Sequence, residues 1–407
     1  MPSNYKRLGD YIQVVNERNK NLENLPLMGL SVSKVFFPTI ANLVGTDMST
    51  YKIVYKNQFT YIADTSRRGD KIAIALNDKY DKMLVSQAYT PFEVIDENKL
   101  LPEYLMMWFR RPEFDRYARF KSHGSAREIF DWGEMCETLL PIPSLEKQQE
   151  IVREYNTIQD RIAVNNQMIN KLEETAQAIY KQWFVDFEFP DENGKPYKSN
   201  NGQMIWCEEL GKEIPECWEL KRLEYEVSII RGASPRPIDE FMSKDKSGKP
   251  WVKISDATAC STRYLFKTNE YISSKGVSKS REVKIGTLIL SNSASPGLPR
   301  LMMIDACVHD GWLIFKEYKN ITKELLIEFL IFNKKDIVSS SNGSVFNNLK
   351  ADILKEYRIL VPEKNIINRL TSLLQILNKQ LLIRGENHQI LEELKNLLLA
   401  KMTRVEN

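Results

Sequence analysis

The sequence predicts an α+β protein in which two mixed α/β heads are separated by two long helices that form an antiparallel coiled coil, with an internal pseudo-twofold repeat. Three observations lead to this fold class. A Gly-Ser turn, an apolar strand ended by proline and a long charged helix occur twice in the 407 residues, 219 positions apart. Both helices carry a heptad pattern, and the segments before them are rich in short β-forming runs. This self-similarity indicates two modules of about 200 residues each.

The repeat is clearest where the helices begin. Gly124 falls on Gly343 and Pro143 on Pro362 at the same offset, so "HGSAREIFDWGEMCETLLPIP" matches "NGSVFNNLKADILKEYRILVP" in pattern. Near the other end of each half, "YKRLGDYI" resembles "LKRLEYEV". The predicted segments are a head at 1–143, a helix at 144–184, a linker at 185–215, a second head at 216–362 and a second helix at 363–407.

The helices are predicted from apolar residues that recur at alternating steps of four and three. The seam runs from Ile151 to Ile179 in the first helix and from Leu370 to Leu398 in the second, with a polar step in the middle of each. A helix of about 30 residues is about 45 Å long. Its apolar stripe is narrow, which suits packing against one partner helix. We expect the two helices to pack on each other antiparallel; parallel packing is the alternative, because the linker is long enough to double back. The apolar seam residues that define the prediction are Ile151, Ile158, Ile162, Ile169 and Leu172, and then Leu370, Leu374, Leu377, Leu381 and Leu391.

The heads are predicted to mix strands and helices. Short β-rich runs such as "YKIVYKNQFTYIA", "KIAIAL", "PWVKISD" and "GTLILSNS" are separated by Gly, Asn and Pro. The segments "LPEYLMMWFRRPEFDRYARFKS" and "TKELLIEFLIFNKKDIVSS" have a helical pattern, and each precedes a Gly-Ser turn. Each head therefore combines sheet and helix.

Composition limits the class of protein. The apolar runs are too short and interrupted to span a bilayer, and the N-terminal segment lacks the apolar centre of a signal peptide, so we expect a cytoplasmic protein. The five cysteines form no CxxC pair, which favours free thiols over a zinc site. The three histidines are far apart and have no metal-ligand spacing, so no metal site is predicted.

Positive charge is concentrated in the second head. Residues 221–300 contain 15 Lys and Arg against 8 Asp and Glu, whereas residues 185–219 contain 3 Lys against 9 acidic residues. A local excess of positive charge points to an anionic partner, with nucleic acid first among the candidates. The alternative is an ordinary solvated surface.

Taken together, these segments resemble the specificity subunit of a type I restriction-modification system. The doubled order of Gly-Ser turn, proline-ended strand, "EKQQEIV" helix start and heptad helix is similar to that family over essentially the whole chain. The stretch "QWFVDFEFPDENGKPYKSNNGQMIWCEELGKEIPECWELKRL" resembles the family's central linker and the start of its second domain. One departure is that the second junction lacks the counterpart of the Gln148–Gln149 pair, so its partner contacts are expected to differ.

The resemblance implies that each head is a target recognition domain, which reads one half of a bipartite, asymmetric site in double-stranded DNA. It implies that the helices set the spacing of the half-sites and dock two methyltransferase subunits, with restriction and translocase subunits joining them. It also implies that this chain is non-catalytic and holds no cofactor, while the partner subunits use S-adenosylmethionine, ATP and Mg²⁺ to methylate adenine and cut DNA.

Candidate DNA contacts are basic and polar residues at turns and strand ends, because Lys and Arg bind phosphate, while Arg, Asn and Ser also read base edges. Any one of them is alternatively a solvated surface residue. The first head supplies Arg67, Arg68, Lys71, Asn77, Lys79 and Lys82. The second head supplies Arg231, Arg236, Lys253, Arg263, Asn292, Ser293 and Arg300.

No catalytic site is predicted, since the chain has no GxxxxGK[ST] loop, no GxGxxG turn after a strand and no adenine-methyltransferase motif. Two alternatives remain. One is a nuclease of its own, because Asp191, Glu219 and Lys221 fit a loose "PD…ExK" pattern that could bind Mg²⁺. That pattern falls in a turn-rich linker, which favours chance. The other alternative is a coiled-coil scaffold with no role on DNA.

Overall fold

The computed structural model of the chain describes residues 5–39, 45–66, 69, 71–124, 127–340 and 348–404, and it falls into two compact units. Unit 1 consists of Met1–Ala163 and Ile390–Asn407, and unit 2 consists of Val164–Gln389. Each unit contains one head and a part of both long helices, so the units do not follow the linear segments drawn from the sequence. Both units mix helices and strands as predicted.

The described part of unit 1 begins with short strands and continues into helices. The strands are β1 (Tyr5–Arg7), β2 (Ile12–Val14), β3 (Met28–Leu30), β4 (Phe36–Pro38), β5 (Lys52–Tyr55), β6 (Phe59–Ile62), β7 (Ala73–Leu76), β8 (Lys82–Val85), β9 (Thr90–Val94) and β10 (Leu139–Pro141). The helices are α1 (Pro102–Phe109), α2 (Pro112–Phe120), α3 (Trp132–Cys136), the first part of α4 (Leu145–Phe184) and the last part of α11 (Lys364–Lys401).

Aromatic packing forms the core of unit 1. The rings of Phe59 on β6 and Phe92 on β9 stack with centroids 4.9 Å apart, and Phe109 of α1 meets Phe59 edge to face at 5.8 Å. These contacts attach α1 to the sheet ordered β2-β9-β6-β7. The single predicted helical segment is divided into α1 and α2, because Pro112 disfavours helical geometry at Arg111 and then starts the next helix.

The described part of unit 2 has more strand. Its strands are β11 (Met204–Cys207), β12 (Lys212–Pro215), β13 (Glu219–Arg222), β14 (Ser228–Arg231), β15 (Lys249–Val252), β16 (Tyr264–Leu265), β17 (Glu270–Ile272), β18 (Arg281–Val283), β19 (Leu288–Ser291), β20 (Pro299–Met302), β21 (Ala306–Val308), β22 (Trp312–Lys316) and β23 (Arg358–Val361). Its helices are the last part of α4, then α5 (Leu223–Glu226), α6 (Ile254–Thr258), α7 (Ser274–Val277), α8 (Lys323–Phe332), α9 (Lys334–Ser339), α10 (Ala351–Glu356) and the first part of α11 (Lys364–Lys401).

One sheet of unit 2, ordered β14-β22-β19-β20-β16 among the described residues, is covered on both faces. Successive side chains of a strand point to opposite faces. Leu288 and Leu290 accordingly join the cluster that contains α8, while Ile289 packs with Val252 and Met302 on the other side. The predicted strand "PWVKISD" ends at Val252, because the carboxylate of Asp256 accepts a hydrogen bond from the backbone N–H of Lys253 and starts α6.

The repeat is visible in the way each head is closed. In unit 1, β1 pairs antiparallel with β10, which lies just before α4. In unit 2, β13 pairs antiparallel with β23, which lies just before α11. The similar segments "YKRL" and "LKRL" therefore occupy equivalent places. The Gly-Ser turns of the repeat fall partly outside the described residues, at Ser125 and at 341–347.

Both long helices begin one residue after their predicted starts, and α4 ends at Phe184 as predicted, whereas α11 ends at Lys401 rather than at 407. Parts of the two helices pack together inside unit 2. Asn165 Nδ2 donates to the carbonyl oxygen of Arg384 at 2.8 Å, and Arg369 Nη1 donates to the carbonyl oxygen of Pro190 at 2.8 Å. Residue numbers rise from Asn165 to Pro190 while those of their partners fall from Arg384 to Arg369, so these parts of the chain run antiparallel. Asn165 and Arg384 are separated by the repeat offset of 219, so a residue faces its own equivalent here.

Candidate nucleic-acid interface

Polar residues of unit 2 lie together at one edge of a sheet, where β14 and β19 end and β22 begins. Arg231 is the last residue of β14, Asn292 follows β19, and Asp310 lies in the turn that precedes β22. These ends meet because β22 pairs antiparallel with both β14 and β19. We call Arg231, Ser234, Arg236, Asn292 and Asp310 the Asp310 cluster.

Hydrogen bonds hold the cluster around the aspartate. Ser234 Oγ donates to Asp310 Oδ1 at 2.8 Å, and Arg231 Nε donates to the carbonyl oxygen of Asp310 at 2.7 Å. Asn292 Nδ2 donates to the same carbonyl oxygen at 3.2 Å. The other carboxylate oxygen, Oδ2, lies 3.5 Å from Arg231 Nη2 and 4.0 Å from Arg236 Nη2. The aspartate therefore connects two arginines that are both exposed.

Asp310 is ionised at neutral pH. Partial burial opposes ionisation, but the hydroxyl of Ser234, a backbone N–H and the charge of Arg231 outweigh it and lower the pKa of the carboxyl. An ionised carboxylate only accepts hydrogen bonds. The cluster thus presents both donors and an acceptor to solvent.

A cavity of about 500 Å³ opens beside the cluster. Its lining residues are Ser234, Pro235, Arg236, Ile238, Trp251, Lys253, Ile254, Ser255, His309 and Asp310. His309 Nδ1 accepts from the backbone N–H of Gly311 at 2.9 Å, so the ring proton is on Nε2, and burial lowers the pKa of this histidine. The lining therefore combines apolar side chains with a neutral imidazole and two cations, Arg236 and Lys253.

A second depression of about 440 Å³ is lined by Arg231. Asn292 and Lys350 are among its lining residues, and the backbone N–H of Leu349 donates to the carbonyl oxygen of Asn292 at 2.8 Å. Arg231 and Asn292 thus line this depression, whereas Ser234, Arg236 and Asp310 line the first cavity. Ser234, His309, Asp310 and Lys350 were not among the predicted contacts.

Several predicted DNA contacts of the second head are engaged within the protein. Arg263 is 3% exposed and binds Glu328 and Glu173, so its position contradicts the prediction that it contacts DNA. Arg300 donates to the carbonyl oxygen of Ala257 at 2.8 and 3.1 Å, and Asn292 is the buried member of the Asp310 cluster.

The remaining predicted residues of this head stay at the surface. Lys253 is half-exposed and pairs with Glu270 at 2.5 Å, and Ser293 is half-buried. Arg231 and Arg236 are 59% and 86% exposed, which makes them the most accessible of the predicted arginines in this head.

In the first head, Arg67 and Arg68 lie outside the described residues. Lys71 and Lys79 are exposed, and Lys82 pairs with Glu23 at 3.1 Å. Asn77 is buried, since its amide donates to the carbonyl oxygen of Tyr80 at 2.8 Å and its Oδ1 accepts from the N–H of Tyr80. Asn77 closes a turn, and this position contradicts its predicted contact with DNA.

The predicted seam residues are buried or half-buried along the long helices. In unit 2, Ile169, Leu370, Leu374 and Leu381 are buried in one cluster, with Leu172 and Leu377 packed against it. In unit 1, Ile151 and Ile162 are buried, and Ile158 and Leu391 are half-buried. Asn165, at the polar step, is also buried.

The proposed nuclease residues do not form a common site. Asp191 accepts hydrogen bonds from the backbone N–H groups of Asn193 and Lys195, both at 2.8 Å, and so closes a turn. Glu219 and Lys221 pair with each other at 2.5 Å and line a cavity of about 450 Å³ whose lining does not include Asp191. Within the described ranges, no group of three or more His, Cys, Asp or Glu could hold a metal ion. None of the helices described has both the length and the apolar character needed to cross a membrane.

Comparison with known proteins gives a consistent picture. Residues 7–174 and 215–396 match the family model described as the type I restriction modification DNA specificity domain. The type I restriction enzyme MjaIX specificity subunit of Methanocaldococcus jannaschii is 24% identical over 76% of this chain and 70% of its own length. The HindI specificity subunit of Haemophilus influenzae is 23% identical over 89% of both chains. The S subunit of a type I system from M. genitalium shares the fold, with a TM-score of 0.55, 13% identity, and coverage of 99% of this chain and 96% of its own.

Proposed function

This chain belongs to the type I restriction modification DNA specificity family, and from this premise we propose that each of its heads reads one half of a bipartite, asymmetric DNA site. The chain is the specificity subunit of a type I restriction-modification system. The observation that carries this function is the doubled family match, which covers both heads and most of both helices. Because the heads differ in sequence, the two half-sites differ too.

The long helices set the distance between the half-sites. A helix of 40 residues such as α4 rises about 60 Å, and heads that read one face of a duplex must be spaced on the scale of its 34 Å turn. We propose that α4 and α11 form an antiparallel coiled coil along their length, with the heads related by a pseudo-twofold axis. The contact between Asn165 and its repeat equivalent Arg384 supports this arrangement, because a residue meets its equivalent only at such an axis.

The outer face of α11 supports the docking of partner subunits. In unit 2, Leu373, Ile376 and Ile383 are exposed on this helix at heptad spacing, outside the seam that faces α4. An exposed apolar stripe on a long helix is suited to another amphipathic helix. We propose that helices of two methyltransferase subunits bind there, and that restriction and translocase subunits join through them.

We propose that the chemistry resides in those partners. S-adenosylmethionine, ATP and Mg²⁺ belong to the methyltransferase and the restriction and translocase subunits, and this chain supplies recognition alone. Its place is the cytoplasm, where these subunits and their DNA meet.

Mapping methylated adenines tests the function. The chain is expressed with its methyltransferase subunit in cells that lack other adenine methylation, and the genome is sequenced by a method that detects the modified base. We expect one bipartite asymmetric motif. Replacing residues 216–362 with those of a relative should change one half-site and leave the other half and the spacer intact. Uniform methylation, or none in a complex that assembles, would contradict the proposal.

A further inference from the structure

The Asp310 cluster has a composition that does not suit phosphate alone. A phosphate-binding patch needs cations and N–H donors, and a carboxylate among them repels the phosphate. Here an ionised aspartate lies between two exposed arginines. A base pair differs from a phosphate because its major-groove edge offers hydrogen-bond donors as well as acceptors.

We propose that Arg236 and Asp310 together read one G·C base pair in the half-site of the second head, Arg236 donating to guanine and Asp310 accepting from cytosine. This inference rests on the proposed function. Guanine presents O6 and N7 as acceptors and cytosine presents its N4 amino group as a donor, and both face the major groove. An arginine beside a carboxylate matches this pattern, because the arginine donates to the guanine acceptors and the carboxylate accepts from the cytosine amino group.

The two arginines of the cluster have different tasks. Arg231 donates through Nε to the carbonyl oxygen of Asp310 at 2.7 Å, so its guanidinium is already oriented by the protein. Arg236 is 86% exposed and approaches Asp310 Oδ2 only to 4.0 Å, which leaves its N–H groups available for a bidentate contact. Arg236 is therefore the reader, and Arg231 helps to position the aspartate.

The aspartate is held in place from beneath. Ser234 engages Oδ1, and Asn292, which is buried, holds the backbone carbonyl of the same residue. Oδ2 faces the arginines and keeps acceptor capacity for an amino group. A side chain fixed in this way loses less conformational freedom on binding, which favours discrimination between bases.

The experiment compares variants in the assembled methyltransferase, with adenine-methylation mapping as the readout. The variants are Arg236→Ala, Arg236→Lys and Asp310→Asn. The matched control for the aspartate is Asp305→Asn in the same head. Asp305 is similarly exposed and does not belong to the cluster, and its carboxylate lies 2.8 Å from Lys284 Nζ. Arg281→Ala, at an exposed strand position, is the control for the arginine.

The wild-type half-site of the second head should contain a G·C pair, and Arg236→Ala should reduce the preference for it by roughly 5- to 140-fold, as expected for one bidentate contact. Arg236→Lys should retain part of that preference. Asp310→Asn should relax the same base pair, while the first half-site, the spacer and both controls stay unchanged. A second half-site without a G·C pair, or one unaffected by Arg236→Ala, would overturn the inference and leave the proposed function standing. The absence of any bipartite motif in the wild type would instead end the proposed function.

Discussion

Replacing Arg263 with methionine should destabilise unit 2 strongly. Arg263 is 3% exposed, and it binds Glu328, which is fully buried, together with Glu173, which is 26% exposed. Asn378 on α11 also accepts from this arginine at 3.3 Å. The side chain therefore connects the head to both long helices within unit 2.

The expected magnitude follows from what the substitution leaves behind. Arg263→Met leaves the carboxylate of Glu328 buried. The side-chain amide of Gln177 still donates to this carboxylate at 2.6 Å, but the amide is neutral. Removing one partner of a buried ion pair costs about 3–5 kcal/mol. At about 2–4 °C per kcal/mol for a unit of this size, the melting transition of unit 2 should fall by about 6–20 °C.

Differential scanning calorimetry of the purified chain measures this change, with Arg222→Met as the control, because Arg222 is half-exposed in an ion pair with Glu224. The double variant Arg263→Met, Glu328→Gln should recover part of the loss, since it removes the uncompensated charge. Glu173→Gln should cost less than Arg263→Met, because water screens the more exposed carboxylate. A loss below about 1 kcal/mol for Arg263→Met would refute this reasoning, since it would mean that the pair was never desolvated.

Three further predictions concern stability and assembly. Gln148→Ala should cost about 1–3 kcal/mol in urea unfolding, because this buried side chain bonds the backbone N–H of Leu101 and the carbonyl oxygens of Lys99 and Pro143; a loss near zero would contradict the assignment. Burial lowers the pKa of His309, so as pH falls through about 6.5 the unfolded chain binds more protons than the folded chain does. The free energy of unfolding should therefore drop between pH 7.5 and 5.5. His309→Gln should reduce that drop, as measured by urea titrations of both proteins at the two pH values. Leu374→Ala, at a side chain 1% exposed, should cost about 2–5 kcal/mol, whereas Leu373→Ala, next to it and 42% exposed, should leave stability unchanged and weaken co-purification with the methyltransferase subunit.

The starts of the two long helices could be predicted to within one residue. Their heptad spacing is a local pattern that needs no knowledge of the partner, and the predicted start at 144 lies one residue from Leu145. The side-chain oxygen of Ser144 does accept from the backbone N–H of Lys147 at 3.4 Å, as expected of a residue at the N-terminus of a helix. The repeat was found in the same way, from patterns at a fixed offset.

The Asp310 cluster could only partly be predicted, because it depends on pairing between distant strands. Arg231 and Asp310 are 79 residues apart and meet only through the pairing of β14 with β22. A lone polar residue in a turn between apolar strands gives no periodic signal, so Asp310 was missed. The predicted DNA contact of Arg263 is wrong because its two acidic partners, Glu173 and Glu328, lie 90 residues earlier and 65 residues later in the chain, and spacing alone does not reveal such pairs.

The strand pair that closes each head has a consequence for how such proteins change. The second head starts at β13 and ends at β23, and these two strands lie side by side. The head of a related protein, if it has the same two terminal strands, could therefore replace the second head. Only the backbone hydrogen bonds between those two strands would need to form again. Domain exchange is tolerated best where the ends of a module are close together. Recombination at these borders would give a cell a new target sequence in a single step, without a new scaffold.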